Sequence, residues 1–427
     1  MIAKVIAKAI DRRQLLAGAG ALLAAGAAAS PVLVADNHRL TLARATRRNG
    51  WVEVDAAAFE ANIDRVRSVV GPARLCAVMK ADAYGNGIAL LMRSIIAKRI
   101  TEVAITSNDE AMVARTLGFR GRLLRIRTAT PDEMADGFAL NIEEAIGNAD
   151  AAARLAMLWR QYGKRRALPV ILALNSGGMS RNGIELSTDY GKADARAILA
   201  LPGLQMRGVM THFPSEEGPD ILAQLARYEA DLAWLRSAGL GAVERHTANS
   251  FATLQHPATR LDMVRVGGLL YGDPGSVKTS DYLPTMAIKS RVAAVNHYPA
   301  GQTVNYDRTF RLGRESWLAN IPIGYSDGLR RSFSHANRPE FPADLGRNPQ
   351  VLIGGQRFPI VGRVTMNTLM VDVTGRQDRV ALGDEVVLFG AQGGERITQA
   401  EFEAAGSGYG PELLAMLGAG LPRVLKA

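Results

Sequence analysis

Lys80 has the clearest capacity for chemistry in this chain, because it ends an apolar run (LCAVMK, residues 75–80) and precedes the segment ADAYGNG. An unpaired ammonium group is costly to remove from water, so a lysine at this position needs an explanation. Its amine could reach solvent at the end of a strand, as lysine side chains commonly do. Alternatively, it could form an imine with a carbonyl cofactor. Lys80 alone favours the first interpretation, whereas its neighbours favour the second.

Pyridoxal phosphate is a carbonyl cofactor of this kind, and its phosphate and its ring nitrogen each need a protein partner. Backbone N–H groups and hydroxyls bind phosphate, and Ser250, Gly267 and Gly268 could supply them. Arg265 is the candidate partner for the ring nitrogen. An arginine would leave that nitrogen unprotonated, so the ring would be a weaker electron sink than one paired with a carboxylate. Taken alone, Arg265 could equally form a surface salt bridge.

Inversion at an α-carbon requires two acid/base groups on opposite faces of a planar intermediate. Lys80 could serve one face, and a phenol beside cationic groups could serve the other. Tyr306 and Tyr325 are the candidates, although each alone would more often be a packing tyrosine. His212 alone would more often be a core histidine, but next to Arg265 it could extend hydrogen bonding towards a catalytic group.

Apolar runs that alternate with helical patterns between Trp51 and about Ser280 could position these residues. Eight such units in about 230 residues suit a closed (β/α)8 barrel, whose chemistry takes place where the strands end. The strand-end residues found by position alone are Lys80, Arg127, Asn175, His212, Asn249 with Ser250, and Arg265 with Gly267 and Gly268. The eight predicted strands cover residues 75–80, 102–107, 122–127, 141–146, 170–175, 207–212, 244–250 and 263–268, of which the fourth is the weakest.

The pattern changes at Met286, after which short apolar runs alternate with Gly, Pro and Asp turns. This pattern predicts a mostly β domain. We therefore expect an α/β chain, with a cofactor-binding (β/α)8 barrel over residues 51–285 followed by a C-terminal β domain over residues 286–427.

Composition narrows the function classes. The formal net charge is +10, but the basic residues are scattered and aromatics make up only 6% of the chain, so nucleic-acid binding is not expected. The single cysteine, Cys76, excludes an intrachain disulfide and a cysteine-based zinc site, and it is expected in the core. No metal site is expected.

Residues 1–35 are typical of an export signal. Arg12 and Arg13 precede a mild Ala/Gly-rich apolar stretch that is too short and too weakly hydrophobic to span a membrane. Adjacent arginines in this position resemble a twin-arginine signal, the route of proteins that fold before export. We therefore expect a periplasmic protein with no stable membrane insertion after processing. An uncleaved membrane anchor is the alternative.

Seven motifs, in one order along residues 51–374, resemble the alanine racemase family. A single motif would be weak support, but the ordered series covers most of the chain that follows the signal. The motifs are AVMKADAYG (77–85), MTHF (210–213), ANS (248–250), VRVGG (264–268), YDRT (306–309), IGYSDG (323–328) and VTMNTLMVD (364–372).

Some positions are closer to the periplasmic broad-specificity amino-acid racemases within that family. Alanine-specific relatives carry a lysine where this chain has Ala173, an aspartate near Asn175, and an aspartate where this chain has Asn367. Ser176 and the segment 179–182 (MSRN) also resemble the broad-specificity version. The export signal agrees, because the strictly alanine-using enzymes are cytoplasmic.

The resemblance implies a fold-type III pyridoxal phosphate enzyme that acts on free amino acids, basic ones included, as a head-to-tail homodimer. It implies that Lys80 is the imine lysine and one base, and that Tyr306 of the partner subunit is the other. Arg265 would face the pyridine nitrogen, with His212 linking it to Tyr306. Further cofactor contacts would come from Tyr84, Asn249, Ser250, Gly267 and Gly268, and substrate contacts from Arg181, Tyr325 and the backbone at Met366.

Two departures from the family pattern concern the cofactor. Asn86 replaces the usual histidine, which would alter a supporting hydrogen bond. The C-terminal tyrosine that contacts the phosphate in the family falls at Leu413 or Leu414 here, with Tyr409 slightly upstream. Either Tyr409 substitutes for it or the contact is lost, which would affect cofactor affinity more than chemistry.

Three other functions stay open at this point. The chain could be an alanine-specific racemase. It could be a fold-type III decarboxylase for a basic amino acid, although no convincing match to the cysteine-bearing motif of those enzymes is present. It could also be an inert cofactor- or amino-acid-binding protein. The only support for this is the change at the position of the family's phosphate-contacting tyrosine.

Overall fold

A computed structural model describes residues 48–163, 166–176, 178, 182–277, 279–341, 348–417 and 420–426 of the 427-residue chain. The predicted export signal, residues 1–35, lies outside this range. Contacts group the chain from Asn49 to Ala427 into one unit. None of the described helices combines the length and apolar character that crossing a membrane requires.

After a first strand, β1 (Gly50–Val54), the chain forms a sheet of eight parallel strands in the order β8-β7-β6-β5-β4-β3-β2-β9. The Arg265 amide donates to the Ala248 carbonyl at 3.0 Å, so the two edges of the sheet meet in a nearly closed barrel. The predicted barrel is confirmed, including its weakest strand. The strands are β2 (Arg74–Val78), β3 (Glu102–Ile105), β4 (Arg122–Arg125), β5 (Ile142–Ile146), β6 (Leu168–Ala173), β7 (Leu204–Met210), β8 (Glu244–His246) and β9 (Met263–Val266).

Helices connect the barrel strands and cover them from outside. Most of them begin after a residue whose side chain accepts a backbone amide of the first turn; for example, Asp55 accepts the Ala58 amide at 2.8 Å, and Ser107 and Glu110 form a capping box. Apolar faces at helical spacing pack against the strands. The helices are α1 (Ala56–Val70), α2 (Ile88–Ala97), α3 (Asn108–Thr116), α4 (Pro131–Asp136), α5 (Ala149–Gln161), α6 (Asp189–Leu199), α7 (Gly218–Ser237) and α8 (Ser250–Gln255).

The chain beyond the barrel is mostly β, as predicted. Its main sheet has the order β11-β14-β17-β16-β15-β18-β10-β1-β20, with β19 beside β18 and a separate β12–β13 pair. Two short helices, α9 (Gln399–Gly406) and α10 (Gly410–Ala415), precede the last strand. The strands are β10 (Met286–Arg291), β11 (Ala294–Tyr298), β12 (Thr303–Val304), β13 (Phe310–Arg311), β14 (Ser316–Ile321), β15 (Gln350–Ile353), β16 (Gln356–Val361), β17 (Leu369–Asp372), β18 (Glu385–Gln392), β19 (Glu395–Ile397) and β20 (Arg423–Leu425).

Strand β1 is part of the C-terminal sheet, although it precedes the barrel in sequence. It pairs antiparallel with β10 and parallel with β20. From the sequence, residues from Trp51 onward were expected in the barrel. Residues 51–54 lie instead in the C-terminal sheet, because their hydrogen-bond partners come from the far end of the chain.

Charged residues close the barrel at the end where its strands begin. The Arg122 guanidinium forms a fork with Glu143, with N–O distances of 2.8 and 2.7 Å, and also donates to Glu244 at 2.9 Å. Arg74 donates to Glu102 at 2.9 Å and contacts Glu244. We call these five residues the floor network. Four of them are largely buried, since only Arg74 has a side chain more than one-fifth exposed.

The interior of the barrel above this network is apolar. Cys76 is fully buried there among Val78, Ala104, Leu124 and other strand residues. Burial raises the pKa of its thiol to about 12, so the group is a protonated core residue. The expectation that Cys76 belongs to the core is confirmed.

The floor network yields a prediction about stability. Arg122→Met would leave the Glu143 and Glu244 carboxylates without their main partner, and we expect a loss of about 3 kcal/mol in the free energy of unfolding. The matched control is Arg314→Met, which removes an exposed ion pair with Asp372 and should cost less than about 1 kcal/mol. Urea unfolding followed by circular dichroism measures both. Equal losses in the two variants would contradict a structural role for the network.

Candidate active site at the rim of the barrel

Lys80 lies two residues after the end of β2 and begins a short helical segment, Lys80–Tyr84, of mostly left-handed conformation. Its last four residues, 81–84, have φ between 54° and 56°, the left-handed region that non-glycine residues rarely occupy in succession. The Ala83 amide donates to the Met79 carbonyl and the Gly85 amide to the Ala81 carbonyl, both at 2.9 Å. Such strain persists only where surrounding contacts hold it, and it is typical of functional sites.

Asn86 is one of the residues that hold this turn. Its side-chain amide donates to the Ala83 carbonyl at 2.9 Å, and its carbonyl oxygen accepts the Thr285 hydroxyl at 2.8 Å. The residue is 1% exposed, so both bonds are shielded from water. In this chain Asn86 therefore ties the lysine turn to the start of the C-terminal domain.

The C-terminal end of the chain supports the same turn. The Arg423 guanidinium donates to the Gly85 carbonyl at 3.1 Å. A Cβ on Gly85 would lie 2.5 Å from the Leu414 carbonyl oxygen, and Gly85 has φ of +80°, so this position requires glycine on both counts. Lys80 thus has a backbone that both domains constrain.

A cavity of about 400 Å³ opens at the carboxyl ends of the barrel strands, and we call it the rim cavity. It is lined by nine of the residues proposed from sequence for catalysis or cofactor binding. They are Lys80, Tyr84, His212, Asn249, Ser250, Arg265, Gly267, Gly268 and Tyr409.

Arg265 projects from β9 into the barrel and is 4% exposed. Its guanidinium donates to the carbonyls of Thr211, at 2.8 Å, and Thr247, at 3.2 Å. It also lies 3.4 Å from Nδ1 of His212 and 3.0 Å from Nδ1 of His246. These carbonyls and imidazole nitrogens hold its planar group in one orientation.

His246 is a site residue that the sequence did not single out. Burial, together with the charges of Arg265, Arg122 and Arg74, lowers its pKa well below the ordinary value, so the imidazole is neutral. Nδ1 can then accept from Arg265, which places the ring proton on Nε2. Nε2 has no hydrogen-bond partner among the described residues. Strand alternation could have located this residue, because His246 lies two residues from the inward-facing Glu244.

Tyr84 and Gly267 meet on another wall of the rim cavity. The Tyr84 ring stacks on Tyr271 at 4.6 Å and lies 5.7 Å from the Lys80 amine. A Cβ on Gly267 would be 2.2 Å from the Tyr84 hydroxyl. The missing side chain at Gly267 therefore admits the phenol, and the Tyr84 hydroxyl lies beside the backbone of Gly267.

Ser250 lies next to this wall at the start of α8. Its hydroxyl accepts the amide of Gly267 at 3.2 Å and approaches that of Leu269 at 3.5 Å. Asn249 caps α8 by accepting the Ala252 amide at 2.9 Å. Hydroxyls and N–H groups gathered in this way match the donor set that a phosphate requires. The residues present thus fit the phosphate group of pyridoxal phosphate.

Tyr409 also lines the rim cavity, just before α10, and is more than half exposed. Partial burial and the nearby carboxylates of Asp273 and Glu216 raise the pKa of its phenol to about 12, so it keeps its proton. Leu413 is buried in the core instead. Tyr409 is therefore the C-terminal tyrosine that reaches the cavity in this chain.

Tyr306, Tyr325 and Met366 do not line the rim cavity. All three lie in the C-terminal domain and are exposed by 66%, 40% and 53%, respectively. Tyr325 and Met366 are neighbours, because the Ser326 amide donates to the Met366 carbonyl at 2.9 Å. Arg181 lies outside the described residues. Arg127, the other strand-end arginine, is half-exposed and pairs with Glu133 on the barrel exterior.

Comparison with known proteins decides the family. Two family models match the chain: "Alanine racemase, N-terminal domain" over residues 54–274 and "Alanine racemase, C-terminal domain" over residues 285–425. The chain belongs to the alanine racemase family. As a member of this family it is an amino-acid racemase, and pyridoxal phosphate is its cofactor, which the donor set of the rim cavity fits.

Individual relatives cover almost the whole chain. A broad specificity amino-acid racemase of Aeromonas hydrophila is 48% identical over 388 residues, which is 90% of this chain and 91% of the relative. A lysine racemase of Proteus mirabilis is 42% identical over 381 residues, 88% and 89% of the two chains. Among solved structures, alanine racemase from Bacillus anthracis with bound L-Ala-P superposes with a TM-score of 0.79 at 27% identity, covering 89% of this racemase and 95% of that chain.

The close contact at Gly267 predicts the effect of a methyl group. Gly267→Ala should displace the Tyr84 ring and lower affinity for pyridoxal phosphate by about tenfold or more, since overpacking costs about 1–3 kcal/mol. Gly267→Ala combined with Tyr84→Phe should regain part of this loss, because the closest atom is removed. Gly241→Ala, where an added Cβ meets nothing within 4 Å, is the control. Cofactor titration followed by visible absorbance measures the wild type and these three variants. Normal affinity in Gly267→Ala would refute the close approach.

His246 can be tested through its bond to Arg265. His246→Leu removes the Nδ1 acceptor of a buried cation, and we expect kcat for racemisation to fall about tenfold or more. His246→Asn can place a carbonyl oxygen close to the position of Nδ1 and should keep most of the activity. Circular dichroism verifies folding in both variants. If both variants lose activity equally, hydrogen bonding to Arg265 is not the reason.

Proposed function

We propose that this racemase interconverts the L and D forms of several free amino acids, basic ones included, with Lys80 as one base and Tyr306 of the partner subunit as the other. The observation that carries the proposal is that the two proposed bases do not lie in the same cavity. Lys80 and Arg265 share the rim cavity, whereas Tyr306 lies exposed in the other domain and does not line it. A homodimer in which each C-terminal domain covers the barrel of the other subunit would bring the two bases together.

When bound, pyridoxal phosphate supplies a conjugated ring that takes up the electron pair left when the α-proton departs. The Lys80 amine would remove or return that proton on one face of the α-carbon. The partner subunit's Tyr306 would do so on the opposite face. Two bases on opposite faces make the reaction an inversion that runs in both directions.

Arg265 would face the ring nitrogen, since its guanidinium is held in the barrel by carbonyls and by neutral His246. A guanidinium keeps its proton, so it would leave the ring nitrogen unprotonated. The weaker electron withdrawal that results limits side reactions at other atoms. His212, 3.4 Å from Arg265, would pass hydrogen bonding on towards Tyr306 of the partner subunit.

The remaining site residues would bind the phosphate of the cofactor and orient the substrate. Ser250, the N–H groups near Gly267 and Gly268, and the Tyr84 hydroxyl would hold the phosphate, with Asn249 fixing the start of α8. Tyr409 would supply the C-terminal phenol contact, because its hydroxyl is protonated and lines the cavity. Substrate contacts would come from Arg181, Tyr325 and the backbone at Met366.

Breadth of specificity is supported by the relatives and by two anchored side chains. The Asn175 amide donates to Glu185 at 2.8 Å, and the Ser176 hydroxyl donates to buried Asp231 at 2.8 Å. These bonds fix the chain just after β6, where the segment that resembles the broad-specificity racemases begins. An alanine-specific racemase remains the alternative, and a decarboxylase or an inert binder would be revealed by the experiments below.

We also propose that the enzyme acts in the periplasm after export directed by residues 1–35. Support comes from the paired arginines Arg12 and Arg13 and the mild apolar stretch that follows them.

A substrate panel tests the reaction. Purified protein with pyridoxal phosphate should form the D-enantiomer from L-lysine, L-arginine, L-alanine, L-serine and L-methionine, as measured by chiral chromatography. Conversion of alanine alone would establish the alanine-specific alternative. Release of carbon dioxide without racemisation would establish a decarboxylase, and no conversion at all would leave only the binder.

Subunit complementation tests the shared site. Lys80→Ala and Tyr306→Phe should each be inactive as homodimers. Random mixing of the two chains should restore about one quarter of wild-type activity, because about half of the dimers are hybrids with one intact site of two. If Tyr306 served the site of its own subunit, no mixture would be active. Dimer formation measured by light scattering for each variant is the control.

A further inference from the structure

A second cavity, of about 840 Å³, lies at the opposite end of the barrel, where β4, β5, β6 and β7 begin. We call it the floor cavity. Its walls include the starts of those strands, at Arg122, Ile142, Leu168 and Gln205. None of the residues assigned above to catalysis or cofactor binding lines it.

Arginines dominate the charge of the floor cavity. Five of them line it, whereas Glu143 is the one carboxylate among its described lining residues. Glu143 is already engaged by Arg122 of the floor network. The lining residues therefore carry a surplus of four positive charges, if each arginine counts +1 and Glu143 counts −1, and Arg122 is further compensated by Glu102 and Glu244 of the floor network.

Three of these arginines bond to neutral acceptors and not to carboxylates. Arg115 donates to the carbonyls of Leu140, at 2.9 Å, and Gly121, at 2.8 Å. Arg120 donates to the Arg115 carbonyl at 3.3 Å, and Arg166 donates to the Asn141 side chain. These bonds orient the guanidinium groups but leave their charges uncompensated. Consistent with this, burial and the charge of Arg120 lower the pKa of Arg115.

Arg207 differs from the other arginines of the floor cavity because it lies at a β-bulge. The β6–β7 ladder pairs Val170 with Met206 and Ile171 with Gly208, so Arg207 is an extra residue at a β-bulge. Bulges redirect a side chain out of the regular alternation, and they are frequent at functional positions. Arg207 is exposed, lines the cavity, and makes no hydrogen bond or ion pair with any residue in the described part of the chain.

From this arrangement we propose that the floor cavity binds a small molecule carrying two or more phosphate groups. Guanidinium groups match phosphate oxygens in fork geometry and remain charged at every relevant pH. Several of them at different positions around one cavity favour an anion with several charged groups over a monoanion. A concave site of this size suits a compact ligand better than a polymer, which binds along open grooves.

Titration calorimetry on the protein saturated with pyridoxal phosphate tests the proposal, because saturation removes competition at the cofactor phosphate site. Pyrophosphate and tripolyphosphate, each at constant ionic strength, should bind with one site per chain, and sulfate should bind far more weakly. Arg207→Ala and Arg120→Ala should each lower the affinity by about fivefold or more, as expected for loss of a partly exposed charged contact. Both residues are exposed, so neither variant threatens folding.

Arg93→Ala provides the matched control, since Arg93 is an exposed arginine on α2 away from the cavity. It should bind tripolyphosphate like the wild type. Racemase activity with saturating cofactor should be unchanged in all three variants. The proposal is overturned if neither phosphate compound binds, or if Arg207→Ala, Arg120→Ala and Arg93→Ala bind alike. Long-chain polyphosphate that binds more tightly per phosphate group and gathers several protein molecules would also overturn it, in favour of a polymer surface.

Discussion

The left-handed turn after Lys80 is the constraint around which much of this structure is arranged. Four successive non-glycine residues with positive φ are unfavourable by local sterics, so their geometry must be imposed from outside. The hydrogen bonds that impose it come from Asn86, two residues after the turn, and from Arg423 in β20. Thr285, at the start of the C-terminal domain, binds Asn86 in turn. The direction of the Lys80 side chain therefore depends on both domains at once.

Charge inside the barrel is organised at two levels. At the rim, Arg265 is buried among carbonyls and histidines, with His246 kept neutral by that same burial. At the opposite end, the floor network pairs Arg122 with Glu143 and Glu244. Apolar side chains around Cys76 separate the two levels. Arg265 thus reaches the rim from within the barrel, where carbonyls of the neighbouring strands accept its N–H groups.

Much of the barrel could be predicted from the sequence, because strands buried on both faces appear as short apolar runs. Even the doubtful fourth strand is present as Ile142–Ile146. The same logic failed for β1, since the ladder of Gly50–Val54 with β20 joins residues at opposite ends of the chain. No local pattern carries that information.

The candidate site, too, could be predicted only in part from the sequence. Strand ends located Lys80, His212 and Arg265, because parallel strands bring their carboxyl ends to one rim. His246 was overlooked, since all three residues of β8 are polar or charged and its side chain does not stand out among them. The left-handed conformation of residues 81–84 was also invisible, because alanine, aspartate and tyrosine do not favour it.

The position of β20 has a consequence for biosynthesis. β20 is synthesised after the other described strands, yet it lies beside β1, which is synthesised before them. The barrel strands can pair as they emerge, whereas β1 gains its parallel neighbour only after all the strands between them have been made. Arg423, which steadies the lysine turn, lies in the same late strand. Maturation of the reactive centre is thereby linked to the synthesis of β20.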